Sequence, residues 1–81
     1  MNNKSKRLTR CFSAVFPELN ERRIASASPE TVAAWDSIAT VTLVSLIEEE
    51  FGIGVEPEAF DRLVSFSSVL SYVEELTASS H

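Results

Sequence analysis

The sequence has few of the residues that most catalytic and metal-binding sites need. Its 81 residues include one cysteine, one histidine and two glycines. Cys11 therefore cannot form an intrachain disulfide, and two possible Cys or His ligands fall short of the roughly four that a structural zinc site uses. A serine triad lacks a nearby base, since the histidine is the last residue, His81, and two glycines do not build a phosphate-binding loop. We therefore expect no catalytic residue, no metal site and no enzymatic activity.

Long apolar runs are also absent, because no stretch approaches the roughly 20 residues that span a membrane. The lone cysteine fits a reducing compartment, which predicts a cytoplasmic location. The net charge of −5 divides unevenly, with +4 in residues 1–29 and −9 in residues 30–81. This acidic excess argues against nucleic acid and favours basic protein partners, although solubility alone would also explain it.

Apolar residues at helical spacing predict the two longest helices. The first covers residues 4–16 and ends before Pro17, because the residue before a proline is pushed out of helical geometry. A long connection, 17–36, follows. The second and strongest helix covers residues 37–51, with Gly52 as a left-handed stop.

Two shorter helices are predicted in the remainder of the chain. One lies within residues 53–64, where Pro57 suits a first helical position. The other covers residues 67–76, and either Ser65 or Ser67 can cap it.

These elements predict an all-α fold, a four-helix bundle with a long first loop and a short third helix. We expect one domain over residues 1–81, with a core at about 4–76 and a flexible segment 77–81. Leu19 and Ile24 are expected to anchor the long connection in the core. A monomer is expected.

Ser37 lies where the long connection turns into the strongest helix, directly after Asp36. The first turn of a helix offers free backbone N–H groups and a positive dipole end, so a phosphodiester on Ser37 would be stabilised there. Asp36 could cap the helix, an interaction worth about 1 kcal/mol, help to hold a metal, or orient the serine hydroxyl. From these residues alone, the pair is either a helix cap or an attachment point.

Apolar and acidic residues share the polar side of the same helix. Ile38 and Val41 fall on the arc expected to face solvent, together with Glu48 and Glu49. The glutamates are either a solvated face or part of a surface that docks partner proteins. The two apolar residues favour docking.

The chain resembles the acyl carrier protein family over roughly residues 4–76. The resemblance rests on Trp35-Asp36-Ser37-Ile38, on Val41, Leu43 and Val44, and on Glu48-Glu49-Glu50-Phe51-Gly52-Ile53. In that family the serine of such a triplet carries a 4′-phosphopantetheine arm derived from coenzyme A. The resemblance thus implies that Ser37 is the attachment serine and Asp36 its preceding aspartate.

The resemblance also implies roles for other positions. Ile38, Val41, Glu48 and Glu49 match positions that partner enzymes contact. The bundle interior, where family members can shelter an acyl chain, would be lined by Leu43, Leu46, Ile47, Phe51, Ala59, Phe60, Leu63, Val69 and Tyr72. Ala39 and Thr42 stand where fatty-acid-synthesis carriers often have acids, and Trp35 replaces a small residue, which favours a specialised member of the family.

The implied function is a carrier that tethers acyl or aminoacyl intermediates as thioesters on the arm and moves them between biosynthetic enzymes. Its partners would be a phosphopantetheinyl transferase, an acyl- or aminoacyl-activating ligase, and condensing or acyl-transfer enzymes. Polyketide, modified-lipid and aminoacyl pathways all fit. The alternative is an unmodified helical module that docks partners through the second helix.

Overall fold

The chain folds into four α-helices and one 3-10 helix in the computed structural model, which describes residues 3–78. The helices are α1 (Asn3–Val15), α2 (Glu21–Ala25), α3 (Ser37–Phe51), the 3-10 helix (Pro57–Arg62) and α4 (Phe66–Ala78). No strand occurs between residues 3 and 78, so the predicted all-α class is confirmed.

The first helix forms as its apolar stripe predicts. Leu8 and Phe12 are fully buried and Cys11 is 6% exposed. The helix ends at Val15, immediately before the Phe16-Pro17 step. Its buried face packs chiefly against α3 and also contacts α2 and α4, so α1 holds the bundle together.

Helix α2 lies inside the segment 17–36, which the sequence predicts to be a long connection with one short turn through residues 31–33. The prediction is incomplete there, because five residues make too few turns to display an apolar stripe. A local signal does exist: the Asn20 side chain accepts a hydrogen bond from the Arg23 amide at 2.9 Å and caps the helix. Ile24 is buried, as predicted, and fixes α2 to the core.

The strongest predicted helix matches α3 residue for residue. Leu43, Val44 and Ile47 form its buried face. Gly52 ends it in the left-handed region, at φ 66° and ψ 38°, and donates its N–H to the Glu48 carbonyl at 2.9 Å. That conformation is accessible to glycine at little steric cost, which explains the sharp stop.

The last two helices fall within or beside their predicted ranges. Pro57 begins the 3-10 helix, and Ser65, the first of the two predicted caps, accepts a hydrogen bond from the Ser68 amide at 3.0 Å. The Ser68 hydroxyl accepts in return from the Ser65 amide at 3.1 Å. α4 continues to Ala78, and residues 79–81 of the segment predicted to be flexible lie outside the described range.

Four aromatic side chains form a cluster in the core beside the start of α3: Phe12, Phe16, Trp35 and Phe66. The Phe12 ring contacts Trp35, Phe66 and Phe16 at centroid distances of 5.3, 5.1 and 6.2 Å. Trp35 is only 4% exposed although it lies in an irregular segment. The segment that precedes α3 is therefore held in the core by a side chain two residues before Ser37.

Candidate functional site

Ser37 is the first residue of α3, and its side chain is exposed. Within residues 3–78, no hydrogen-bond partner is found for its hydroxyl. An unburied and unengaged hydroxyl at a helix start is accessible to a modifying enzyme. The position that the sequence singles out is therefore open to solvent.

Asp36 is the N-cap of α3. Its carboxylate Oδ1 accepts a hydrogen bond from the Ala39 amide at 2.9 Å, and its carbonyl accepts from the Thr40 amide at 2.9 Å. Of the three roles considered for Asp36, the structure shows the cap, which fixes the direction in which the helix leaves the loop. The cap therefore fixes the position of Ser37 at the N-terminus of α3.

A second set of contacts ties this helix start to the core. The Trp35 indole Nε1 donates to the Thr40 hydroxyl at 3.0 Å, and that hydroxyl donates to the Asp36 carbonyl at 2.9 Å. The Trp35 ring also packs against Phe16 at 5.9 Å. These roles could not be predicted from an apolar pattern, since a lone tryptophan in a loop has no periodicity. The available signal was the size of Trp35, which follows the apolar residues Val32, Ala33 and Ala34.

The donors at this helix start match an anion attached to Ser37. The amides of Ser37 and Ile38, the first two of α3, have no hydrogen-bond partner within residues 3–78, whereas the next two are bonded to Asp36. Free amides and the positive end of a 15-residue helix stabilise negative charge placed there. A phosphodiester on the Ser37 oxygen therefore fits the residues present.

Exposed apolar residues flank the serine. Ile38 is 76% exposed and Val41 is 56% exposed, as the helical pattern predicts. Thr42 and Ser45 are exposed on the same side of α3. Large aliphatic side chains this exposed lower the solubility of a small domain unless a partner covers them.

The three glutamates at the end of α3 have different surroundings. Glu48 is half-buried, and its carboxylate accepts a hydrogen bond from the Val55 amide at 2.8 Å. Glu49 is exposed. The Glu50 carboxylate accepts from the Arg7 Nε at 2.7 Å, so it links α3 to α1.

Arg7 makes two further contacts at the same place. Its Nη2 donates to the Glu50 backbone carbonyl, and its guanidinium lies 4.5 Å from the centroid of the Phe51 ring. A cation at the C-terminal end of a helix offsets the negative end of the dipole, where three acids would otherwise be unfavourable.

The nine residues proposed to shelter a cargo divide into two sets. Those in the core are Leu43, Ile47, Ala59, Leu63, Val69 and Tyr72, and those half-buried at its edge are Leu46, Phe51 and Phe60. Their role as a cargo site stays a prediction.

Two surface cavities involve almost none of these nine residues. One, of about 320 Å³, lies between α1 and α3 and is lined by Arg10, Cys11, Ala14, Leu46, Glu49 and Glu50. The other, of about 450 Å³, lies between α1 and α2 and is lined by Ser5, Lys6, Thr9, Arg10, Ser13 and Glu21. Of the predicted cargo-binding residues, Leu46 alone lines either cavity.

Cys11 belongs to the core, as the helical pattern predicts. Burial raises the pKa of its thiol, Glu50 raises that pKa further, and Arg7 acts in the opposite direction. A raised pKa keeps the thiol protonated and unreactive at neutral pH.

Residues 3–78 lack the features of two other kinds of site. No group of three or more His, Cys, Asp or Glu side chains is arranged to hold a metal ion there. No helix in the same range is long and apolar enough to cross a membrane.

Comparison with known proteins agrees with this arrangement. The family described as "phosphopantetheine attachment site" matches residues 33–73, just over half of the chain, and the match includes Ser37 and all of α3. No solved structure matches the chain. Members of the matched family carry 4′-phosphopantetheine bound covalently to a serine. This chain belongs to the phosphopantetheine-attachment family and has the role of a phosphopantetheine-bearing carrier protein.

Proposed function

We propose that Ser37 carries the 4′-phosphopantetheine arm and that the chain moves acyl or aminoacyl groups between biosynthetic enzymes. The observation that supports this most directly is the Ser37 hydroxyl. It is exposed, unengaged and placed at the first residue of α3, within the segment that matches the family.

The other serines of the matched segment are less suited. Ser65 and Ser68 bond to each other and cap α4, with their hydroxyls 3.2 Å apart. Ser45 lies in the third turn of α3, and Ser71 lies inside α4, where the neighbouring amides already bond within the helix. Ser67 is the second residue of α4. Of these positions, Ser37 alone combines an exposed hydroxyl with the first free amide of the longest helix.

The residues around Ser37 have separable tasks in this proposal. The Ser37 oxygen forms the covalent bond, and the free amides of Ser37 and Ile38 stabilise the charge of the phosphodiester. Asp36 keeps the helix start rigid through its cap, and its second carboxylate oxygen is available to orient the serine hydroxyl during loading. Trp35 holds the preceding segment against the core.

The prosthetic group supplies a terminal thiol that holds the cargo as a thioester. The protein supplies the tether point, the partner surface and shelter. Cys11 is not expected to hold cargo, because it is buried and its thiol pKa is raised. The nine interior residues named above are proposed to cover the cargo, and slower thioester hydrolysis on the protein than on coenzyme A would support that role.

The test of Ser37 is an intact-mass measurement. The purified chain is treated with coenzyme A and a broad-specificity phosphopantetheinyl transferase. Wild type should gain one arm, and Ser37→Ala should gain none. Ser71→Ala is the matched control, since it removes an exposed serine of the matched segment that lies in α4, and it should leave the gain unchanged. A gain in Ser37→Ala would place the arm elsewhere.

The unmodified docking module makes the opposite prediction. Protein isolated from its native host would lack the arm, and partner binding would not change in Ser37→Ala. The family match argues against this alternative, and the mass of the isolated protein decides between the two.

A further inference from the structure

The Ser37 side chain is positioned by its neighbours rather than by contacts of its own. Its hydroxyl and its backbone amide have no hydrogen-bond partner within residues 3–78, and the side chain is exposed. The place of the serine oxygen is therefore set by the residues on either side of it. Two of these carry the contacts: the N-cap Asp36 and Thr40, which lies three residues further along α3.

Thr40 connects this helix start to the core. Its hydroxyl accepts a hydrogen bond from the Trp35 indole Nε1 at 3.0 Å and donates one to the Asp36 carbonyl at 2.9 Å. The same carbonyl also accepts from the Thr40 amide at 2.9 Å. A hydroxyl has one hydrogen to donate, so these two side-chain bonds together fix its orientation. We call Trp35, Thr40 and the Asp36 carbonyl the hydroxyl junction.

Thr9 shows what this junction adds to an ordinary helical threonine. The Thr9 hydroxyl donates to the Ser5 carbonyl at 2.8 Å, four residues back in α1, and Thr40 makes the same local bond in α3. Such a bond is common for a threonine inside a helix. Thr40 additionally accepts the indole N–H of a side chain that is 4% exposed. The indole bond therefore links the first turn of α3 to the core, which the local bond alone does not do.

The Trp35 ring is a fixed point because the core encloses it. It contacts the Phe12 ring at 5.3 Å and the Phe16 ring at 5.9 Å, and both phenylalanines are at most 1% exposed. An N–H group on a ring this deeply buried is costly to leave without an acceptor. The hydroxyl junction thus opposes movement of the helix start relative to the core, and Ser37 is part of that start.

We propose that Trp35 and Thr40 are positioning residues for attachment of the arm, because the bond between their side chains holds Ser37 where its oxygen meets coenzyme A on the transferase. This inference rests on the proposed function of Ser37. In the attachment step the serine O–H bond breaks and its proton passes to a base of the transferase. The serine oxygen bonds to phosphorus, and the phosphorus–oxygen bond to the adenosine bisphosphate leaving group breaks. Trp35 and Thr40 act on this step only through the placement of Ser37.

The test measures kcat and KM for loading by a transferase that modifies the wild-type chain. Thr40→Val keeps the branched shape of the side chain and removes the hydroxyl. It should lower kcat/KM about fivefold, the factor that one ordinary hydrogen bond represents. The fall should be in kcat, because Thr40 is half-buried and Trp35 is buried, so the exposed residues that the transferase meets are unchanged. Thr40→Ser keeps the hydroxyl and should retain most of the activity.

Three further variants separate positioning from general stability. Thr9→Val is the matched control, since it removes the same local bond from α1, and its kcat should equal that of wild type. Trp35→Phe removes the indole N–H from the other side of the junction and should lower kcat to a similar extent. The double variant Trp35→Phe, Thr40→Val should be no slower than the slower single variant, because both substitutions break the same bond.

Hydrogen exchange gives a readout that does not depend on activity. The Ala39 amide bonds to the Asp36 carboxylate at the helix start. Its exchange should be about fivefold faster in Thr40→Val than in wild type, because the first turn opens more often. Exchange of the Ile47 amide, in the buried face of the same helix, should not change.

Each result has one meaning. A kcat of Thr40→Val within about twofold of wild type would overturn the inference, and so would an equal loss in Thr40→Ser or in Thr9→Val. Additive losses in the double variant would do the same. If Thr40→Val does not fold, Trp35→Phe decides, and an unchanged kcat in that variant overturns the inference. In all these cases complete loading at Ser37 leaves the proposed function intact, whereas no mass gain at Ser37 in wild type would overturn the function and the inference together.

Discussion

Replacing Phe12 should damage the fold more than replacing any half-buried phenylalanine. Phe12 is fully buried and contacts three other aromatic rings at 5.1 to 6.2 Å. One of those rings, Trp35, holds the segment that leads to Ser37. Phe51, at the other end of α3, is half-buried and contacts the Arg7 guanidinium at 4.5 Å. The two positions form a matched pair for one substitution.

The expected costs follow from these contacts. An aromatic pair is worth about 0.5–1.5 kcal/mol beyond its buried area. Phe12 makes three such pairs, so Phe12→Leu should lower the free energy of unfolding by about 1.5–4.5 kcal/mol. Phe51→Leu loses one partly exposed cation–π contact, worth about 0.5–1 kcal/mol. Domains of this size have about 4–12 kcal/mol in total. Phe12→Ala, at about 3–5 kcal/mol, would therefore bring the chain close to unfolding.

Urea denaturation followed by far-UV circular dichroism measures both variants. The midpoint should fall further for Phe12→Leu than for Phe51→Leu, with similar m-values. An equal or larger loss for Phe51→Leu would refute the assignment of Phe12 to the centre of the core. A lower m-value in Phe12→Leu would instead indicate a changed denatured or native state, and the thermal midpoints would then decide the order.

Three further predictions concern other contacts. Asp36→Ala should cost about 0.5–2 kcal/mol of unfolding free energy in urea, whereas Asp36→Asn should cost much less because asparagine also caps. Burial raises the pKa of Cys11, so the folded chain holds the thiol proton more tightly than the unfolded chain does. The free energy of unfolding in urea should therefore fall as pH rises above the unfolded thiol pKa of about 8.5. Cys11→Ser should reduce this fall. Arg7→Gln should lower the thermal midpoint more than Arg62→Gln. Arg7 contacts a carboxylate at 2.7 Å, a backbone carbonyl and the Phe51 ring at 4.5 Å, whereas Arg62 contacts an exposed Glu75 at 3.2 Å and the Tyr72 ring at 5.1 Å and has no backbone carbonyl partner between residues 3 and 78. A larger effect at Arg62 would contradict the last of these.

Local signals in the sequence were sufficient for much of the fold. The α3 prediction is confirmed at both ends because Asp36 supplies an N-cap and Gly52 a left-handed stop, and both effects act within one turn. Pro57 similarly fixes where the 3-10 helix begins. The exposed pair Ile38 and Val41 follows from helical periodicity alone.

Features that depend on contacts distant in sequence were not predictable in the same way. Trp35 joins the core because Phe12 and Phe16 lie against it, and its size alone does not indicate these two partners. The internal hydrogen bond of Glu48 depends on the path that the chain takes to Val55 after Gly52. In sequence the three glutamates look equivalent, and only the fold separates them.

Trp35 is the only tryptophan in the chain, and its burial gives this protein a built-in optical reporter. Its indole is enclosed by Phe12 and Phe16 and bonded to Thr40, so emission should be blue-shifted in the folded state and move to longer wavelength when the segment opens. Because the ring sits two residues before Ser37, loading of that serine could be followed in real time by intrinsic fluorescence, with no dye on the protein or on coenzyme A.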